Sequence, residues 1–238
     1  MDLNKYIDYT NLKIDATSED IAKLCERANR YGFETICVSP CYVTLAKKML
    51  EGSTVNISTV ISSGMSTPKV KSYEAIDAVE MGADEIGMFV NIGALKDKDY
   101  DYVKGEIEEV RDSIDGKILK VIVVTHELDK DELIKITEIC NETFVNYIEI
   151  YNDKKHTEDS FEDIKIINDY KNEVLEIKVS GHIKKEDDIL TLIENGATRV
   201  GISKISKLIK EEKCKDNDCS CQHDDCKCKE NKCDCKED

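Results

Sequence analysis

Seven of the eleven cysteines crowd into the last stretch of the chain, from Cys214 to Cys235. Six of them form C-x-C pairs, Cys219/Cys221, Cys226/Cys228 and Cys233/Cys235, which recur every seven residues behind a lone Cys214. Two thiols one residue apart can clasp one soft cation or bridge two, and thiolate favours Cu(I) and Zn²⁺ over Mg²⁺ or Ca²⁺. Seven thiols fill one tetrahedral site and most of a second, with bridging sulfurs or His223 covering the shortfall. The flanking lysines offset the negative charge that gathers when several thiolates share a metal. Other chemistry stays open for the same thiols: oxidation to disulfides, cross-linking to other chains, or modification by an enzyme with the rest of the chain as carrier. A zinc finger is not expected, because its ligand pairs bracket a foldable stretch.

From Glu211 onward there is no aliphatic or aromatic side chain, so this segment has nothing to add to a hydrophobic core. The chain therefore reads as a body, residues 1–210, and a tail, residues 211–238, that is disordered unless a metal orders it. With 238 residues and 40% hydrophobic content the body can hold one sizeable core. The net charge of −16, from 34 Lys and Arg against 50 Asp and Glu, disfavours nucleic-acid backbones and anionic membranes. No apolar run approaches the roughly 18 residues needed to cross a bilayer, and the start, MDLNKYIDYT, lacks the build of a signal peptide. A soluble, cytoplasmic protein is expected. Cys25, Cys37, Cys41 and Cys140 lie in the body, mostly within apolar patterns, as small buried hydrophobes do.

The body alternates short β-branched runs with helical spacing. Strands are predicted at Phe33–Val38, Val55–Ile61, Glu85–Asn91, Ile118–Val124, Phe144–Ile150, Leu175–Val179 and Thr198–Ile202, with a short one at Tyr6–Tyr9. Ile21, Leu24, Cys25 and Ala28 mark a helix over Ser18–Tyr31, and Asp187–Asn195 reads similarly, with Gly196 as its C-cap. Eight βα units in about 205 residues predict an α/β fold, a (β/α)₈ TIM barrel. An open doubly wound sheet would need a phosphate fingerprint such as G-x-G-x-x-G, which is absent.

Long ordered segments now carry a resemblance. YIDYTNLKIDATSEDIAKLCERA, YGFETICVSPCYVTLAKKML, EAIDAVEMGADEIGMFVNIGALKDKDYDYV, KVSGHIK and GATRVGISKI resemble bacterial deoxyribose-phosphate aldolase from Met1 to about Lys210. The resemblance implies a TIM barrel that cleaves 2-deoxyribose 5-phosphate to glyceraldehyde 3-phosphate and acetaldehyde through a lysine Schiff base, with no cofactor in the barrel. Such a lysine must be neutral at working pH, which a neighbouring cation brings about, and a carboxylate moves protons through water. In the family, segments like FVKTSTGF, VKASGGI and EIDMVIN carry the nucleophile, a second lysine and the acid.

Two of those three positions differ. The nucleophile's place holds Glu149, in Tyr147-Ile148-Glu149-Ile150, and the acid's place holds Gly87, in Glu85-Ile86-Gly87-Met88. Only the second lysine persists, as Lys178. A carboxylate cannot form an imine, and Glu149 beside Lys178 raises the lysine pKa, the wrong direction for a nucleophile. An ion pair between adjacent strands, with the charges within about 6 Å, is the expected arrangement.

The family's phosphate loops are altered too. The run after Glu149 is Asn152-Asp153-Lys154-Lys155-His156-Thr157-Glu158, without glycine, and the strand-three loop shrinks to Ser62-Ser63-Gly64-Met65-Ser66. A residual anion site would use Gly181, Gly201 and Ser203, with Lys204 alongside; otherwise Lys154, Lys155, Lys184 and Lys204 are solvated loop charges. Asp8, Thr10, Lys13, Asn91, Lys120 and Thr125 persist from the family's scaffold, mostly in structural use, and His126 and His156 read as loop histidines. The tail looks like metallothionein-type sequence. The expectation is a pseudoenzyme of the aldolase family with a thiolate tail that binds Zn²⁺ or Cu(I). The alternative is an active lyase of the family that uses Lys178. A small phosphorylated or carbonyl ligand is the expected partner, with a homodimer left open.

Overall fold

Helix boundaries in this chain follow from local capping chemistry. Thr17 accepts a hydrogen bond from the Asp20 N–H, and the Asp20 carboxylate accepts from the Thr17 N–H, which starts α1 at Ser18 and carries it to Tyr31. Gly32, at φ +67°, then closes the helix in the left-handed conformation that glycine adopts without strain. Asp129 and Glu132 cap α6 (Lys130–Glu142) in the same reciprocal way.

The computed structural model describes residues 2–62, 66–152, 159–181, 183, 185–203, 228–229 and 232–233. Eight strands run in chain order: β1 (Ile7–Asn11), β2 (Thr35–Val38), β3 (Asn56–Ile61), β4 (Glu85–Phe89), β5 (Ile118–Val124), β6 (Tyr147–Asn152), β7 (Glu176–Gly181) and β8 (Arg199–Ile202). Each pairs in parallel with the next, and β8 pairs with β1, so the sheet closes into a barrel. Around it lie α1, α2 (Val43–Met49), α3 (Pro68–Glu80), α4 (Ile92–Lys96), α5 (Tyr100–Ser113), α6, α7 (Asp159–Tyr170) and α8 (Glu186–Glu194). This is the predicted (β/α)₈ TIM barrel. In the tail, β9 (Cys228–Lys229) and β10 (Lys232–Cys233) form a short antiparallel pair.

Strand alternation sorts the side chains into two populations. One, including Ile7, Ile36, Ile57, Ile86, Leu119, Val121, Ile148, Ile177 and Val200, packs with the helices in the main hydrophobic core. The other includes Asp8, Thr35, Glu85, Lys120, Glu149, Lys178 and Arg199, all buried, and makes the barrel interior ionic.

Several predicted boundaries move for identifiable reasons. β6 begins at Tyr147, because Phe144 has φ +54° and is 79% exposed, so it belongs to the turn after α6. β4 ends at Phe89, since Asn91 leaves the strand and its Oδ1 accepts from the Ala94 N–H, starting α4. Leu3–Tyr6 forms a 3₁₀ turn, which pushes β1 to Ile7–Asn11. Asn195 is the cap of α8, with Gly196 following at φ +111°.

Candidate active site

Register brings the ionic side chains together. Glu149 on β6 lies opposite Lys178 on β7, Lys178 lies opposite Arg199 on β8, and Lys120 on β5 lies opposite Gly87 on β4. Asp8, on β1, is the hub. Its Oδ1 accepts from Arg199 Nη1 at 2.8 Å, and its Oδ2 lies 3.1 Å from Lys120 Nζ and 2.8 Å from Lys178 Nζ. Glu85 takes the other side of Lys120 at 2.6 Å and reaches Arg199 at 3.3 Å. Arg199 also donates to Thr35 Oγ1 at 2.7 Å.

Above this layer the Glu149 Oε2–Lys178 Nζ distance is 3.2 Å, and Ser180 Oγ donates to Glu149 Oε1 at 2.6 Å. The expected ion pair is present, well within the 6 Å that sequence reasoning allowed. Lys178 is thus held by two carboxylates, Asp8 and Glu149. Burial alone would lower its pKa, but the two anions outweigh that and raise it above the ordinary lysine value. Lys120 is raised for the same reasons, by Asp8 and Glu85. Burial would raise the Asp8 pKa, yet Lys120, Lys178 and Arg199 hold its carboxyl well below the usual range. Asp8, Glu85 and Glu149 match Lys120, Lys178 and Arg199 in number, so the cluster is formally neutral.

The other predicted positions have distinct surroundings. A Cβ on Gly87 would lie 3.1 Å from Ile122 Cδ1, so a methyl group borders the space where the family's acid would stand. A Cβ on Gly181, at φ +125°, would sit 1.9 Å from the Asn152 carbonyl oxygen, so only glycine fits there. A Cβ on Gly201 would lie 2.9 Å from Ser180 Cβ and 3.5 Å from Lys178 Cε, so its absence lets both side chains reach Glu149. Packing demands both glycines irrespective of any anion. Ser203 is exposed just beyond β8. Lys154, Lys155, His156, Lys184, Lys204, Gly64, Cys214, Cys219, Cys221, Cys226 and Cys235 lie outside the described residues. Of Cys228 and Cys233 only the strand backbone is described.

Sequence reasoning did not single out Cys37, Glu85 and Arg199 as part of this cluster. Cys37 is buried on β2, where desolvation pushes its thiol pKa up against the pull of Lys178 and Lys120. A lone β-branched run hides such residues until register is known. Nor did it find the ion pair of Lys71 on α3 with Glu106 on α5, at 2.7 Å with both side chains fully buried. Lys71 donates to the Phe89 carbonyl at 2.8 Å and Glu106 accepts from the Asn91 N–H at 2.7 Å, which pins the end of β4. At the same end of the barrel, buried Thr125 Oγ1 and Asn152 Oδ1 have no hydrogen-bond partner among the described residues. Among the described residues no group of His, Cys, Asp and Glu is arranged to hold a metal, and no helix is long and apolar enough to cross a membrane.

A closed parallel barrel whose interior gathers a lysine and carboxylates from several of its strands has the architecture of the aldolase-type TIM barrels. The family described as "DeoC/LacD family aldolase" matches residues 3–138. The deoxyribose-phosphate aldolase of Finegoldia magna is 43% identical over 212 residues, covering 88% of this chain and all of the relative. That of Metamycoplasma hominis is 44% identical over 198 residues, covering 82% of this chain and 91% of the relative. Among solved structures, "QR15, an Aldolase" superposes with a TM-score of 0.77 at 29% identity, covering 84% of this chain and 91% of that one. The chain belongs to the DeoC/LacD aldolase family.

Proposed function

We propose that this family member has lost the Schiff-base chemistry of deoxyribose-phosphate aldolase, with Glu149 in the nucleophile's place and Gly87 in the acid's. The observation that carries the reading is the 3.2 Å contact between Glu149 and Lys178, with Asp8 on the other side of the same ammonium. An imine needs a free amine. At an ordinary pKa of about 10.4 only about one lysine in a thousand is neutral at pH 7.4, and the two carboxylates make the neutral form of Lys178 scarcer still. The barrel mouth then serves to bind a small phosphorylated or carbonyl ligand, met by Thr125, Asn152 and the backbone at Gly181, Gly201 and Ser203. The chain has two parts, barrel 1–210 and tail 211–238, and the tail thiols bind Zn²⁺ or Cu(I). Reduced thiols and the acidic charge suit a cytoplasmic protein.

The second reading is an active aldehyde-lyase that cleaves 2-deoxyribose 5-phosphate with Lys178 as nucleophile. The names of the relatives, at 43% and 44% identity, favour it more directly than they favour the first. The deciding experiment incubates the protein with 2-deoxyribose 5-phosphate and with acetaldehyde, adds borohydride, and weighs the protein by mass spectrometry beside a cleavage assay. No adduct and no cleavage are expected. Turnover that disappears in Lys178→Met establishes the lyase instead.

A further inference from the structure

Strand alternation carries the barrel interior one layer further toward the strand C-termini, the end at which barrels of this kind hold their ligands. Above the buried positions Ser58, Gly87, Ile122 and Glu149 stand Val60, Phe89, Val124 and Tyr151, on the consecutive strands β3 to β6. Above Lys178, Arg199, Asp8 and Cys37 stand Ser180, Gly201, Thr10 and Ser39, on β7, β8, β1 and the extended residue that follows β2. All but the buried Gly201 are half-buried. The rim therefore has two faces. Its side chains are apolar over one half of the circumference and bear hydroxyls over the other.

The apolar half is a packed wall. Phe89 and Tyr151 meet edge to face, with ring centroids 5.9 Å apart and planes at 89°, an arrangement that holds both rings in place. They span β5, whose Ile122 lies opposite Phe89 and whose Val124 lies opposite Tyr151. The family segments EIDMVIN and FVKTSTGF carry valine and serine at these two places, so both rings are departures from that pattern. On the other half, Ser180 Oγ donates to Glu149 at 2.6 Å and Thr10 Oγ1 donates to the Asp8 carbonyl at 3.2 Å. Each hydroxyl oxygen keeps lone pairs for a further donor. Beneath both halves Lys120, Lys178 and Arg199 are each held by carboxylates. Among the described residues the interior therefore offers no uncompensated positive charge to a phosphate.

We propose that the barrel mouth binds a neutral carbonyl compound with a flat apolar body, laid against Phe89, Val124 and Tyr151, its polar end turned to Ser180, Thr10 and Ser39. The inference rests on the reading that the mouth takes a small phosphorylated or carbonyl ligand, and it chooses the carbonyl class. An apolar wall with a few convergent polar groups is what orients a small molecule in a pocket. An aromatic carboxamide has the matching outline: its ring faces the two aromatic side chains, its N–H groups donate to the Ser180 and Thr10 oxygens, and its carbonyl accepts from the Ser39 hydroxyl.

The test uses the full chain and two probes that form no imine, benzamide and glycerol 3-phosphate, each titrated by NMR. Benzamide is expected to bind with a Kd of about 1 mM, the range for a fragment of its size, with nuclear Overhauser effects from its ring protons to the rings of Phe89 and Tyr151. Phe89→Val and Tyr151→Ser should each weaken it by about tenfold, and glycerol 3-phosphate should not displace it. The Overhauser contacts are read in the wild type, so the assignment stays testable if a variant fails to fold. No benzamide binding, binding without those contacts, or unchanged affinity in two folded variants overturns the site. Tighter binding of glycerol 3-phosphate that displaces benzamide overturns the choice of class. Borohydride trapping with acetaldehyde, which carries no phosphate, is run in parallel. A trapped imine together with the expected benzamide binding refutes the loss of Schiff-base chemistry and leaves the two-faced mouth standing.

Discussion

Glu149→Gln isolates the charge of one carboxylate. Gln keeps an oxygen for the Ser180 hydroxyl, which now donates to Glu149 at 2.6 Å, and it keeps the shape of the side chain. What it removes is the anion 3.2 Å from Lys178 Nζ. The bare Coulomb attraction at that distance is about 5 kcal/mol at an effective dielectric of 20, and desolvation of both partners offsets much of it. Lys178 retains Asp8 at 2.8 Å, so the variant does not leave an ammonium without any counterion. A net loss of about 2 kcal/mol is expected, within the range of charged hydrogen bonds. For a chain of this length that lowers Tm by about 4–8 °C. A double-mutant cycle with Lys178→Met, read by urea denaturation, should give a coupling energy of about 1–3 kcal/mol. Coupling below about 0.5 kcal/mol, with Tm unmoved, would refute the argument that Glu149 holds Lys178 charged.

Four further outcomes follow from the same geometry. Glu149→Lys should yield a borohydride-trappable imine with almost no cleavage. Adding Gly87→Asp, which asks Ile122 Cδ1 to yield a few tenths of an ångström, should raise cleavage by about 10²–10⁴-fold over the single variant. Glu106→Ala leaves Lys71 a buried ammonium without its carboxylate and should cost about 3–5 kcal/mol in chemical denaturation; a loss under about 1 kcal/mol would contradict the pairing. The depressed Asp8 pKa means its contribution is complete above the unfolded value of about 3.9 and vanishes as pH falls through the native one. The stability gap between wild type and Asp8→Asn should therefore hold from pH 7 to about 4 and narrow below. Deleting residues 214–238 should abolish metal uptake while changing barrel stability by less than about 0.5 kcal/mol; equal uptake by both forms would place the metal in the barrel.

Much of this architecture was legible in the residues. Period-two and period-3.6 patterns gave all eight strands, and Ser18–Tyr31 was bounded correctly because its apolar stripe, its capping pair and Gly32 agree. Phe144 misled because an aromatic next to Val145 looks like a strand start, while its backbone belongs to the αL turn. Glu149 and Lys178 were readable as a pair since each sits at a strand position that a resemblance numbers independently. Asp8 as a three-cation hub was not readable: its partners stand 112, 170 and 191 residues away along the chain, and only closure of β8 on β1 joins them. The Lys71–Glu106 pair was hidden for a similar reason, because two charged residues on amphipathic helices look like solvated faces until α3 and α5 pack.

That pair bears on how such a barrel can change its chemistry. Lys71 and Glu106 grip the backbone at Phe89 and Asn91 from outside the sheet, using none of the interior groups. The end of β4 is consequently anchored whether residue 87 is an acid or a glycine. Scaffold and reaction are held by separate sets of charges, so a lineage could exchange one without unfolding the other. On the reading proposed above, interior charges such as those at positions 87 and 149 could be exchanged inside a rim that did not have to be rebuilt.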